Sequence, residues 1–121
     1  MDLLTPEIRA RLEEQGRAID ELRKAGHSYG HLPPLAKLSG TFEGRRLVFL
    51  LRSIQPDDTD FAIACVDMGN GDLGMTQISL TALAKMCEEF KIVLTLDNAF
   101  STGRSIDDYH LAATRAGRIE D

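Results

Sequence analysis

Arg46-Leu47-Val48-Phe49-Leu50-Leu51-Arg52-Ser53-Ile54 decides how this chain folds. A strand turns successive side chains to opposite faces. Leu47, Phe49 and Leu51 therefore share one side, and Arg46, Val48, Leu50 and Arg52 share the other. One side is fully apolar and the other is mixed, which is a sheet pattern. Working back, Glu43-Gly44 marks a turn, and Leu35-Ala36-Lys37-Leu38-Ser39 predicts a preceding strand. Working forward, Pro56-Asp57-Asp58-Thr59-Asp60 is a turn, because proline fixes φ and short carboxylates bond back to local amides. Phe61 to Val66 is apolar on both sides and suits a central strand. Asp67 to Asp72 is a second turn, in which Asn70-Gly71 tolerates positive φ, and a strand over 73–78 returns.

Outside this block the apolar period changes from 2 to 3.6. Thr5-Pro6-Glu7-Ile8 reads as a helix start, with a capping hydroxyl, an early proline and a carboxylate at the positive end of the dipole. Ile8, Leu12, Ile19 and Leu22 form one stripe, with Gln15 between them, and Gly26 stops a helix over 6–25. Gly16 beside that stripe predicts a bend or a close helix-to-sheet contact. Ser79 caps a second helix whose stripe is Leu80, Leu83, Ala84, Cys87 and Phe90. Ile92 to Leu96 predicts a last strand. Ser105 caps a last helix with the stripe Ile106, Tyr109, Ala113 and Ala116, closing at Gly117; Leu111 falls off the stripe. The expected fold is α+β: an N-terminal helix, an antiparallel four-stranded meander, a helix, a fifth strand and a C-terminal helix, with the helices packed on one face of the sheet.

At 121 residues, with 43% hydrophobic and 27% charged side chains, the chain is expected to form a single domain over 1–121. Two cysteines cannot staple a fold, and no run approaches the ~20 apolar residues of a membrane span. The opening residues lack the basic and apolar regions of a secretory signal, so a cytoplasmic protein with reduced thiols is expected. The formal charge of −5 is unevenly spread. Residues 56–121 carry most of the excess carboxylates, and the basic residues gather on the first helix at Arg9, Arg11, Arg17, Arg23 and Lys24. They are interleaved with Glu13, Glu14, Asp20 and Glu21 at helical pairing distance. A nucleic-acid partner is therefore not expected, since phosphate binding needs a net basic face.

No metal or other cofactor is expected. His27 and His31 lie four apart in a non-helical connector, without the further ligands of a tetrahedral site. The turn acids lack calcium-loop spacing; the twelfth position counted from Asp67 is Ile78, where a glutamate is required. Gly69, Gly71 and Gly74 lack the lysine and following helix of a phosphate loop. Cys65 and Cys87 occupy apolar positions and read as small core hydrophobes. Asp107 and His110 share a helix face near Ser101, Thr102 and Ser105, without a nucleophile elbow.

The run Leu3-Leu4-Thr5-Pro6-Glu7-Ile8-Arg9-Ala10-Arg11-Leu12 resembles the opening of a bacterial family, domain of unknown function 2958. The similarity recurs at Pro34-Leu35-Ala36-Lys37-Leu38, through Ile54 to Gly69, at Asp72-Leu73-Gly74 and at Ile78-Ser79-Leu80. The resemblance implies a bacterial protein of the kind carried by plasmids and integrated conjugative elements, beside DNA-processing genes. It carries over no functional residues. Where relatives usually place Trp or Tyr in the second strand, this chain has Arg46-Leu47-Val48-Phe49, and it has Met75 after Leu73-Gly74.

The leading functional expectation is a non-enzymatic accessory or protein-binding domain. Two surfaces offer themselves: Arg9, Arg11, Arg17 and Arg23 facing an acidic partner, and Leu111 with the carboxylates of the C-terminal half. Self-association is left open. The rival is a small hydrolase or metal-assisted enzyme, with His31, Asp97, Asp107 and His110 as acid–base groups between the 27–34 connector and the 97–105 loop. A nucleic-acid module using the basic first helix stands third.

Overall fold

The computed structural model describes residues 3–29, 32–70, 73–97 and 99–119. Helix α1 runs Pro6–Lys24, followed by strands β1 (Ala36–Phe42), β2 (Arg45–Ile54), β3 (Phe61–Asp67) and β4 (Leu73–Ser79). Helix α2 (Leu80–Phe90), the short strand β5 (Thr95–Leu96) and helix α3 (Ile106–Ala116) complete the order. The sheet is antiparallel throughout, in the order β4-β3-β2-β1-β5. This is the α+β meander that the alternating residues predict.

The local chemistry behaves as its residue types dictate. Thr5, Ser79 and Ser105 each accept a hydrogen bond from the amide three residues on, at 3.3, 3.1 and 3.1 Å. Each cap satisfies one of the orphan amides at a helix start. The β1–β2 turn places Glu43 and Gly44 at φ 53° and 76°. Two positive-φ residues give a turn whose twist matches the strands on either side. The helix α3 closes on Gly117 at φ 77°.

The helices do not all lie on one face. Ala36, Leu38, Leu47, Phe49, Leu51, Ile54, Ala62 and Ala64 form a core with Leu12 of α1 and Leu80, Leu83 and Cys87 of α2. Val48, Leu50 and Cys65 point the other way and pack with Ile106, Tyr109 and Ala113 of α3 and with Ile119. The expected one-face arrangement is corrected here for α3. Its cause lies in the sequence: β2 and β3 are apolar on their second sides as well, and that surface needs its own cover. The predicted strand over 92–96 also shortens. Only Thr95 and Leu96 pair with β1, while Ile92 is buried at the end of α2 and Val93 stands 73% exposed.

Two details of β2 position the candidate site. Its register against β3 slips between Leu51 and Ser53, so Arg52 is the extra residue of a β-bulge. The slip lets Leu51 and Ile54 face the same core although they are three apart. Helix α1 sits directly on this end of the strand. A Cβ at Gly16 would stand 1.8 Å from the carbonyl oxygen of Ile54. Of the two uses predicted for Gly16, the close helix-to-sheet contact is the one the structure shows.

Candidate functional site

Gln15 projects from α1 and donates its Nε2–H groups to the carbonyls of Arg52, at 2.8 Å, and Pro33, at 3.0 Å. One side-chain amide thus ties the helix to the bulge and to the 27–34 connector. The connector is held again at Leu32, whose carbonyl accepts from the Ile106 amide at 3.2 Å. Earlier in the same connector, Tyr29 lies beneath Arg52, with the guanidinium carbon 5.5 Å from the ring centroid. This is within the range at which a ring quadrupole attracts a cation.

Arg52 is only 8% exposed. Its Nε is buried without a hydrogen-bond partner among the described residues. Burial pulls its pKa below the ordinary arginine value, opposed by the nearby Tyr29 and by the charge of Asp107. The guanidinium still stays charged, because arginine starts so far above neutrality. Its exposed remnant lies in the wall of a cleft of about 150 Å³. Asp20, Arg23, Tyr29, Ser53 and Gln55 share that wall. Arg23 is already bonded to Asp20, which also pairs with Lys24 at 3.0 Å. The hydrogen bond from Lys24, then that from Arg23, holds the Asp20 carboxyl below its usual range.

Two larger hollows have a different character. One of about 290 Å³ is bordered by Leu3, Arg9, Asp60, Thr81, Lys85 and Glu88. Asp60 there already accepts from Ser79 Oγ at 2.5 Å, Thr81 N at 2.9 Å and Thr81 Oγ1 at 2.6 Å. It is a clasp between the β2–β3 turn and the start of α2. The other hollow, about 360 Å³, lies beside β4, and Val66, Met68, Leu73, Gly74, Met75 and Thr76 line it without a charged group.

The residues singled out in the sequence are dispersed. His31 lies outside the described residues. Asp97 is exposed, and its Oδ1 accepts from the Ala99 amide at 3.0 Å in a local turn. Asp107 and His110 lie one turn apart on α3, with no hydrogen bond between their side chains among the described residues. The Leu32–Ile106 bond joins the connector to the start of α3. No group of three metal-binding side chains occurs among the described residues.

On α1, a step of two residues is a rotation of about 200°, so Arg9 and Arg11 leave the helix in opposing directions. Arg9 donates to the Thr59 carbonyl at 3.3 Å, Arg11 and Arg17 are exposed, and Arg23 reaches the Arg52 cleft. Leu111 is 52% exposed on α3. Sequence reasoning passed over Arg52, Tyr29, Ser53 and Gln55. The available signal was a basic residue inside an otherwise apolar strand run.

Fold and cleft define a small α+β protein, a meander covered on both faces, with one buried arginine at a helix–strand seam. The chain belongs to the family described as "Protein of unknown function (DUF2958)", whose model matches residues 3–120. No curated protein and no solved structure matches it. No helix among the described residues is long and apolar enough to cross a membrane.

Proposed function

We propose that this chain is a non-enzymatic accessory domain that binds an acidic protein partner, with the Arg52 cleft as the point of recognition. The observation that carries the reading is the buried Arg52 guanidinium, whose Nε has no partner among the described residues. Burying a charge without a partner is costly. The part of the guanidinium left exposed in the cleft wall is where a group from outside the chain would meet its charge. Arg23, in the same wall, is already paired with Asp20, which leaves Arg52 as the unmatched cation of the cleft. Service to plasmids or other mobile elements is supported by the family resemblance alone, and the genes beside those of relatives test that part.

The binding role is tested by capture from the host on immobilised wild type, R52Q and L111S. A partner held by wild type and by L111S, released by salt and lost on R52Q, is the expected result. Loss on L111S alone moves recognition to α3. A partner retained equally by all three, or none at all, overturns the reading. Filter binding of duplex and single-stranded nucleic acid across salt concentrations addresses the third expectation, because phosphate contacts give a steep salt slope.

A further inference from the structure

We infer that the Arg52 cleft takes a carboxylate carried on an Asp or Glu side chain of a protein partner, which rests on the binding role proposed above. Size is the first argument. Sites that enclose a metabolite or nucleotide run to about 300–1,000 Å³, and this cleft is about 150 Å³. It has room for the tip of one side chain and not for a free cofactor.

Charge is the second argument. Two cations line the cleft, but Arg23 is matched by Asp20. Only Arg52 has no ion pair among the described residues, and Asp107 adds negative charge nearby. With Arg23, Lys24 and Arg52 set against Asp20 and Asp107, the local excess is one positive charge, which suits a monoanion. A phosphate ester carries about −1.5 to −2 at neutral pH. It would face Asp20 and Asp107 with no second unmatched cation to offset them.

Shape is the third argument. A guanidinium presents its N–H groups as a flat fork, and a carboxylate accepts two of them in parallel. Tyr29 lies beneath that fork, its ring centroid 5.5 Å from the guanidinium carbon. Ser53 and Gln55, which follow on the same strand end, offer neutral donors in the same wall.

The test uses the full chain and records the Arg52 Nε–H resonance directly by NMR. Acetyl-Gly-Glu-Gly-amide is titrated against its Gln counterpart, with acetate and inorganic phosphate as separate arms. The expected result is a saturable shift of Arg52 Nε–H and of the Ser53 and Gln55 amides with the Glu peptide. The Gln peptide should bind about tenfold or more weakly, as expected when a charged hydrogen bond is lost. R52K keeps the charge but not the fork, and should abolish the shifts at Ser53 and Gln55.

Acetate binding more tightly than the Glu peptide overturns the protein source. Phosphate saturating the site where the Glu peptide does not overturns the carboxylate, while the cleft remains a binding site. If no anion moves the Arg52 resonance, both this inference and the binding role fall. The wild-type titrations decide these outcomes even if R52K fails to fold.

Discussion

Replacing Arg52 by methionine should stabilise the chain. The substitution removes a buried donor that has no acceptor among the described residues, worth about 1–3 kcal/mol. It forfeits a cation–π contact worth about 0.5–1 kcal/mol. Urea denaturation should show a net gain of about 1 kcal/mol for R52M, and a loss would mean that the guanidinium is already satisfied. Gly16 gives the opposite case. G16A drives a methyl group into the Ile54 carbonyl and should cost about 1–3 kcal/mol or more by the same measurement. An unchanged midpoint would show that α1 can stand off the sheet. The cysteines make a third residue-level test. Burial, with a smaller contribution from Asp67, pushes the Cys65 thiol up to about 11. Burial also raises Cys87. At pH 8 neither supplies an appreciable amount of thiolate, which is the reacting species. Native protein should resist iodoacetamide there and react only after unfolding, and rapid modification of folded chain would count against both placements.

At the scale of elements, Asp60 joins the β2–β3 turn to α2. Hydrogen bonds from the Ser79 side chain, then from the Thr81 side chain and amide, hold its carboxyl below the usual range. The contribution is complete above the unfolded-state value near about 4 and is lost as pH falls through the lower folded value. D60N should therefore melt earlier than wild type at neutral pH, with the two melting temperatures converging in acid. A constant gap down to the acid limb would rule out the carboxylate as the cause. The elements themselves were legible because their signals are local: a hydroxyl before a stripe, a glycine after one, alternation between turns. The side taken by α3 is written in Val48, Leu50 and Cys65, which give β2 and β3 a second apolar surface. The reach of β5 was not legible, since Ile92 and Val93 read as strand but serve the end of α2.

Over the whole molecule, the sheet is closed on both faces, and the last described residue completes the second. Ile119 is buried against Val48, Leu50 and Cys65, and its amide donates to Asp67 Oδ2 at 2.8 Å. I119A should cost about 2–5 kcal/mol, read as an earlier denaturation midpoint, and an unaffected midpoint would mean that the tail adds nothing to the face. The candidate site was the least legible part of the chain. It is assembled from α1, the connector, the end of β2 and the start of α3, and no spacing along the sequence shows that Gln15, Tyr29 and Arg52 meet. Of the groups whose residue types suggest acid–base chemistry, Asp97 closes a local turn, while Asp107 sits in the first turn of α3, where a carboxylate faces the positive end of the helix dipole, and His110 lies one turn further on.

The slip at Arg52 has a genetic consequence. Beyond Leu51 the strand's inside and outside are exchanged relative to strict alternation. A relative lacking one residue at this point would restore strict alternation, with Leu51 and Ile54 still facing the core beneath α1 and Ser53 still on the outer side. Deletion of the Arg52 codon should therefore leave the core register of β2 in place, and what it removes is the bulge together with the arginine it presents.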